Sequence, residues 1–234
     1  MSGGSWRIGK TFRFEATRTV DGRFDGHSFV AEAVMASPQL SEEGFVVDFG
    51  ALAGVKRHID EVLDHRYLSD VVPDASDEGL GRYLTEWAQR HLPGEVTAVL
   101  EGIRIRTGRP PAPPAGAAAS FEASHRLAGL PADHPCGRLH GHSYLVTIPP
   151  GGADGARAAG VPGLLRRYLE TTLHGEVLND AVEFNPTSEL LAHHLVRWLE
   201  DWGVFRPGGR GVRVRVSETE TSWAEFEGRR HDGR

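Results

Sequence analysis

Cysteine is nearly absent from this sequence: one residue among 234, so the chain cannot form an internal disulfide. That scarcity is typical of a reducing compartment and predicts a cytoplasmic protein. Also missing is any apolar run near the ~20 residues that a membrane span requires. The first residues, M-S-G-G-S-W-R, contain no apolar core of a signal peptide. We therefore expect neither a membrane partner nor a secretory leader.

Basic residues are also not in excess, since the formal net charge is -6. Nucleic acids and anionic membrane surfaces attract basic proteins, so neither is an expected partner. Apolar residues make up 39% and charged residues 25%, which are ordinary proportions for a globular protein. The length permits one large domain or two small ones.

Bulky residues are scarce in residues 107–120, which read T-G-R-P-P-A-P-P-A-G-A-A-A-S. Proline and small residues in this proportion predict a semi-rigid linker rather than a packed element. The linker separates two parts of similar length, residues 1–106 and residues 121–234. We therefore predict two domains.

Two short motifs recur on either side of that linker. F-E-A-T-R at Phe14–Arg18 matches F-E-A-S-H at Phe121–His125, and F-D-G-H-S-F at Phe24–Phe29 matches L-H-G-H-S-Y at Leu139–Tyr144. Both matches come in the same order and at comparable spacing. Together they predict an internal duplication.

Hydrophobic patterning predicts a similar order of elements in each half. The first half has predicted strands near residues 11–19, 24–35 and 95–106, with helices after Asp48 and from about Asp77. The second half has predicted strands near residues 119–127, 138–148, 211–217 and 222–227, with helices near 162–173 and 187–202. This order predicts an α+β fold in which each half is an antiparallel sheet with two helices on one face.

Three histidines of the second half are candidate metal ligands. Residues i and i+2 of a strand point to the same face, so His140 and His142 project together. His125 lies on the preceding strand, and a hairpin can place it opposite the pair. Three imidazoles with an open fourth position are typical of a catalytic zinc site. An exposed H-x-H pair without metal is the alternative.

The lone cysteine, Cys136, lies four residues before His140, among polar residues, Pro and Gly. A lone cysteine is often a small buried apolar residue. A nearby zinc ion and Arg138 would instead favour the thiolate. We interpret Cys136 as a reactive thiol.

Four motifs occur in order: F-E-A-S-H, C-G-R-L-H-G-H-S-Y, F-N-P-T-S-E-L-L and S-E-T-E-T-S-W-A-E-F. Together they resemble the 6-pyruvoyltetrahydropterin synthase / 6-carboxytetrahydropterin synthase family. V-V-D-F and L-D-H-R-Y-L extend the resemblance weakly into the first half. The resemblance implies two tandem tunnelling-fold (T-fold) domains, each a four-stranded antiparallel sheet with two helices, assembled into barrels. It also implies a Zn²⁺-dependent lyase whose small-molecule partner is a pterin, 7,8-dihydroneopterin triphosphate.

The resemblance implies a role for each matching residue. His125, His140 and His142 are the implied zinc ligands, and Cys136 is the implied proton-abstracting thiol. Glu218 is the implied anchor of the pterin ring, with Thr187 nearby. Without that resemblance, Glu218 is interpreted as a solvated charge at a strand end and Thr187 as a helix N-cap. Thr187 can cap the helix and also bind substrate.

The family's L-D-H motif supplies an Asp-His pair for proton transfer, which the second half lacks. His174 and Gly175 stand at the aligned positions there, whereas the first half keeps Leu63-Asp64-His65. The pair is expected to be catalytic. The alternative is a relic in which His65 merely interacts with a helix C-terminus.

The first half has lost the metal site. Arg18 and Asp25 stand where the second half has His125 and His140, and His27 alone remains. An arginine has no lone pair for a cation, so we expect this half to be a degenerate, metal-free domain. Because the family's sites form between neighbouring subunits, the complementary losses predict one composite active site per domain pair.

We expect a 6-carboxytetrahydropterin synthase-like lyase, because E-T-E-T-S-W-A-E-F resembles bacterial carboxy-forming members. The alternatives are a 6-pyruvoyltetrahydropterin synthase, a relative from secondary metabolism, or a non-catalytic pterin- or purine-binding protein. The pathway stays open among 7-deazaguanine (queuosine-type) biosynthesis, a pterin cofactor and an antibiotic. Closure of sheets into a barrel predicts a homo-oligomer, either three tandem chains or a dimer.

Overall fold

The structure is a computed structural model that describes residues 4–20, 22–107, 117–131, 134–137, 139–148, 161–202 and 212–228. Contacts divide these residues into two compact units. The N-terminal unit comprises residues 9–36 and 47–107, and the C-terminal unit comprises residues 4–8, 37–46 and those from 117 onward. Residues 108–116, most of the predicted linker, lie outside the described residues.

The N-terminal unit contains three strands and a layer of helices. Its strands are β1 (Ser5–Val20, of which residues 5–8 belong to the other unit), β2 (Arg23–Ser37) and β3 (Leu100–Thr107). Its helical elements are a 3₁₀ turn (Phe49–Leu52), α1 (Ala53–His58), a π turn (Ile59–Leu63), a 3₁₀ turn (Leu68–Asp70), α2 (Asp77–His91) and α3 (Gly94–Thr97). Strands β2 and β3 pair antiparallel, with Ala31 opposite Ile105.

Side-chain caps start the 3₁₀ turn before α1 and helix α2. The Asp48 carboxylate accepts a hydrogen bond from the Gly50 amide at 2.7 Å, as its position before the helix predicts. Ser76 caps α2 by accepting from the Gly79 amide at 3.0 Å. The apolar residues that follow recur every three or four positions and are buried, among them Leu52, Val55, Ile59, Leu63, Leu80 and Leu84.

The C-terminal unit contains a four-stranded antiparallel sheet in the order β4-β5-β6-β7, with residues 5–8 of β1 next to β7. The strands are β4 (Ala117–His125), β5 (His140–Ile148), β6 (Arg213–Thr219) and β7 (Ser222–Glu227). The helical elements are α4 (Val161–Tyr168), a π turn (Leu169–Leu173), α5 (Leu178–Ala181) and α6 (Ser188–Asp201). Helix α6 packs on β6 and β7. No helix in the described ranges combines the length and apolarity needed to cross a membrane.

Of two predictions for the first half, one is not confirmed and the other needs correction. Four strands were predicted for each domain, but the described part of the first half forms three. The strand predicted from residue 95 begins at Leu100, because residues 94–97 form the helical turn α3, in which Thr97 N–H bonds to Pro93 O at 3.1 Å.

The predicted duplication is visible in matching aromatic contacts. Phe14 and Phe29 stack with their ring centroids 5.1 Å apart, and Phe121 and Tyr144 stack at 4.8 Å in the C-terminal unit. Between α1 and α2, His58 contacts the Tyr83 hydroxyl at 3.0 Å. The C-terminal unit has the same pair with its members exchanged, where the Tyr168 hydroxyl contacts His194 at 2.6 Å.

One segment of the first repeat packs on the second. Residues 41–46, which we call the docking segment, lie against the start of α6. Asn185 Nδ2 donates to the Glu43 carbonyl at 2.6 Å and the Thr187 hydroxyl donates to the Gly44 carbonyl at 3.0 Å. The Val46 amide donates to Glu189 Oε1 at 3.3 Å. These contacts explain why the segment belongs to the C-terminal unit.

Replacement of Gly44 by alanine tests this packing. Gly44 has φ 95°, and an added Cβ would lie 2.7 Å from Leu190 Cδ1, so Gly44→Ala combines backbone strain with crowding. Gly22→Ala is the matched control, since Gly22 has φ 76° and open space around it. We expect a loss in free energy of unfolding of about 1 kcal/mol for the control and about 2 kcal/mol for Gly44→Ala. Urea unfolding measures both, and equal losses would contradict the close packing.

Candidate metal centre and catalytic residues

Strand pairing brings the three predicted ligands together. In the β4–β5 ladder, His125 is directly opposite His140, and His142 follows two residues later on the same face. One nitrogen from each ring lies within 4.8 Å of the others. The Nε2 atoms of His125 and His140 are 3.2 Å apart. A single ion can therefore contact all three imidazoles.

The orientation of His125 is set by its second nitrogen. His125 is 1% exposed, and its Nδ1–H donates to the Pro186 carbonyl at 2.8 Å, just before α6. The Tyr144 hydroxyl lies 3.2 Å from the same Nδ1. This arrangement leaves Nε2 as the free acceptor facing the other histidines. Metal-binding histidines are commonly fixed in this way.

Burial lowers the pKa of His125 and of His142, although the negative charge of Glu218 opposes the shift. Both rings are therefore neutral at neutral pH, which is the form that binds a metal. Three imidazole ligands without a thiolate among them suit Zn²⁺ with one position open to a ligand. Among the described residues, Cys136 is not part of this cluster. The donor set thus fits a catalytic zinc ion.

Cys136 lies in a 3₁₀ turn (Pro135–Gly137) between β4 and β5 and is partly buried. Its carbonyl accepts from the Leu127 amide at 2.9 Å, and its amide donates to His134 Nδ1 at 3.2 Å. Main-chain contacts on both sides hold the thiol on the connection that leads into His140.

The equivalent position of the N-terminal unit is filled by an ion-pair cluster. Arg18 Nε donates to Asp25 Oδ2 at 3.0 Å, and Nη1 donates to Asp77 Oδ1 at 2.7 Å and to the Ala75 carbonyl at 2.9 Å. Burial opposes the charge of Arg18, but the hydrogen bonds to Asp77 and Asp25 raise its pKa above the ordinary value. Arg18 reaches the carbonyl before α2 just as His125 reaches the one before α6. The Arg18 guanidinium thus occupies the position that corresponds to the metal site of the other repeat. The side chain of His27 lies outside the described part of the chain.

Asp64 and His65 form an ordered pair in the N-terminal unit. Asp64 Oδ1 accepts from the Glu15 amide at 2.8 Å, and Oδ2 accepts from His65 Nδ1–H at 2.8 Å. The Glu15 amide and then the His65 ring lower the pKa of Asp64, which keeps it ionised. The ionised carboxylate accepts from Nδ1–H, so Nε2 of His65 points away from Asp64 as the second ring nitrogen. The His65 side chain is 78% exposed.

The backbone at His65 is strained, with φ 55°. The matching residue of the C-terminal unit is Gly175 at φ 80°, and each amide donates to the preceding strand, His65 to Glu15 and Gly175 to Glu122. Glycine adopts this conformation without strain, whereas histidine does not. A strained backbone at a residue whose side chain has an ordered partner is a common feature of functional positions.

The two predicted substrate-binding residues are placed differently. Glu218, on β6, is close enough to the histidines for its charge to act on the pKa of His125 and His142. Thr187 is fully buried and caps α6, accepting from the Leu190 amide at 3.2 Å while it donates to Gly44. Its predicted cap is confirmed, and its hydroxyl is committed to these two contacts. Substrate binding by Glu218 and Thr187 stays a prediction.

Sequence reasoning missed two residues of the same turn. Glu189 is 5% exposed, and burial, with the charge of Glu218 adding to it, raises its pKa to about 8. The Ser188 hydroxyl is buried without a hydrogen-bond partner among the described residues. A sequence signal was present for Glu189, because it precedes the buried Ala192 and Val196 by three and seven residues and so lies on the apolar stripe of α6.

Comparison with known proteins gives a family match over both repeats. The family model "6-pyruvoyl tetrahydropterin synthase" matches residues 7–107 and again residues 117–229. The chain is 33% identical to the 6-carboxy-5,6,7,8-tetrahydropterin synthase of Aquifex aeolicus, over 28% of this chain and 54% of that protein. It is 31% identical to the dihydroneopterin monophosphate aldolase of Pyrococcus furiosus, over 30% of this chain and 60% of that protein.

Among solved structures, the 6-pyruvoyl tetrahydropterin synthase of Caenorhabditis elegans is 23% identical with a TM-score of 0.35, covering 46% of this chain and 89% of that one. An uncharacterized protein of Wolinella succinogenes is 19% identical with a TM-score of 0.26, covering 94% of this chain and 97% of that one. The chain spans only 54% and 60% of the two curated relatives.

The site predicts one metal ion per chain. Three histidines meet in the C-terminal unit, whereas Arg18 fills the equivalent position of the N-terminal unit. We expect about one zinc per purified chain, and loss of most of it in His140→Ala, because two histidines bind zinc poorly. His91→Ala, an exposed histidine on α2, is the matched control. Elemental analysis measures the content, and a value near two per chain would contradict the assignment.

Proposed function

Because the chain belongs to the 6-pyruvoyl tetrahydropterin synthase family, we propose that it is a zinc-dependent lyase acting on 7,8-dihydroneopterin triphosphate. The observation that carries the proposal is the convergence of His125, His140 and His142. The 6-carboxytetrahydropterin outcome is the one we favour, and the sequence similarity to the Aquifex aeolicus enzyme supports it.

In this proposal, His125, His140 and His142 hold the zinc ion, which supplies a Lewis acid for oxygens of the substrate side chain. The Cys136 thiolate removes a proton from an adjacent carbon. Glu218 accepts hydrogen bonds from the N–H edge of the ring, as a carboxylate suits paired donors.

The Asp64–His65 pair completes the proposed machinery as the second proton-transfer group. Its ordered hydrogen bond and strained backbone support a catalytic role over a relic. The C-terminal unit has His174 and Gly175 at the matching turn, where His174 Nδ1 accepts from the Glu122 amide at 3.2 Å. One composite site per pair of repeats follows, and a homo-oligomer of tandem chains is its proposed setting.

The proposed reaction consumes one water and releases triphosphate and acetaldehyde, leaving 6-carboxytetrahydropterin. A related aldolase activity is a second candidate, because the Pyrococcus furiosus relative is named an aldolase. Incubation with dihydroneopterin triphosphate, followed by mass spectrometry, separates the carboxy product, the pyruvoyl product and an aldol-cleaved pterin. Binding without any product would instead support a non-catalytic pterin-binding protein.

Cys136→Ala tests the thiol. We expect turnover to fall by at least ~100-fold, the contribution of a general base, with zinc content and thermal unfolding unchanged. Cys136→Ser keeps the size of the side chain but not its acidity, so it should be nearly as inactive. Turnover near the wild-type rate in the alanine variant would show that the thiol is structural.

Complementation tests the Asp64–His65 pair. We expect His65→Ala to lower turnover by about 100-fold, with His91→Ala as a control that retains it. Inactive His65→Ala and Cys136→Ala chains are then mixed under conditions that allow exchange. Recovery of part of the activity means that the pair serves a neighbouring chain, and no recovery means that it serves its own. A fully active His65→Ala variant would refute the composite site.

A further inference from the structure

One carboxyl group of the C-terminal unit is buried without a cation beside it. Glu189 is 5% exposed in the first turn of α6, and no ion pair between described residues includes it. A buried acid either pairs with a cation or keeps its proton. The pKa of Glu189, raised to about 8 by burial and then by the charge of Glu218, indicates that it keeps its proton at neutral pH.

The geometry around Glu189 joins two distant parts of the chain. Its Oε1 accepts from the Val46 amide at 3.3 Å, while Thr187 and Asn185 bind the carbonyls of Gly44 and Glu43. The docking segment is therefore held by three side chains that lie within five residues of one another. Of these, Glu189 is the one whose carboxyl group also interacts electrostatically with Glu218 on β6.

We propose that Glu189 is a positioning residue: its buried carboxyl group, near Glu218 on β6, holds the docking segment against the first turn of α6. The role of Glu218 in this inference rests on the proposed function, whereas the hold on the docking segment does not. A ring that presents N–H donors is recognised by one charged carboxylate in a fixed place. A second negative charge beside Glu218 would repel it and displace it.

Glutamine is the diagnostic replacement, because its amide is uncharged, keeps an acceptor for the Val46 amide and has nearly the same shape. Glu189→Ala removes the acceptor, and Glu189→Leu removes it while filling the buried space. If the alanine variant does not fold, the leucine variant is compared with glutamine instead. Glu183→Gln, an exposed glutamate shortly before α6, is the matched control.

Zinc-loaded protein is used for three measurements: hydrogen exchange in residues 41–46, neopterin binding by fluorescence, and KM and kcat with dihydroneopterin triphosphate. For Glu189→Ala and Glu189→Leu we expect exchange about tenfold faster, and both the neopterin Kd and KM about tenfold higher, as for loss of one buried hydrogen bond. kcat should stay within about threefold. Glu189→Gln should restore every value to within about threefold, and Glu183→Gln should change none.

Three results would overturn the inference. Unchanged exchange in both apolar variants would show that Glu189 does not hold the segment. A glutamine variant as impaired as alanine would show that a charged carboxylate is required. Unchanged Kd and KM beside faster exchange would show a structural contact without a positioning role. If the wild-type protein neither binds neopterin nor converts the substrate, the proposed function fails, and the exchange comparison alone still decides the hold on the docking segment.

Discussion

The register of the β4–β5 ladder is the constraint on which the candidate site depends. Antiparallel pairing places His125 opposite His140, and the two-residue repeat of a strand puts His142 on the same face. A slip of one residue would turn the ligands of one strand to the opposite face of the sheet. The hydrogen bond from His125 to the carbonyl of Pro186 then links the sheet to the start of α6, where Thr187, Ser188 and Glu189 lie.

The two repeats show how one backbone arrangement supports different chemistry. The side chain at the end of the first strand reaches the carbonyl before the long helix in both, as Arg18 in one and His125 in the other. In the N-terminal unit, arginine brings its own positive charge and two carboxylates neutralise it. The buried charge at this position is therefore paired, and the fold does not need the metal-binding residues there.

At the turn that follows the π turn, it is the N-terminal unit that keeps the Asp-His pair of the family motif. The N-terminal unit retains Asp64 and a strained His65, whereas the C-terminal unit has Gly175 at the same backbone position without strain. These complementary differences are the basis of the composite site proposed above. Under that proposal each functional group is needed once per pair of repeats, so each repeat is free to lose the part that the other keeps.

The sequence alone determined most of the local elements and pointed to the three candidate ligands. Alternation marked H-G-H as a strand, Asp48 and Thr187 were recognisable as caps, and the quoted motifs identified the family. Tertiary structure decided the rest: the three strands in the described part of the first half, the meeting of His125 with the pair, and the burial of Glu189. The reason is the distance along the sequence over which each interaction acts. Caps and periodicity act over a few residues, whereas the contact between Val46 and Glu189 spans 143 positions, and only the folded chain sets the burial on which a pKa depends.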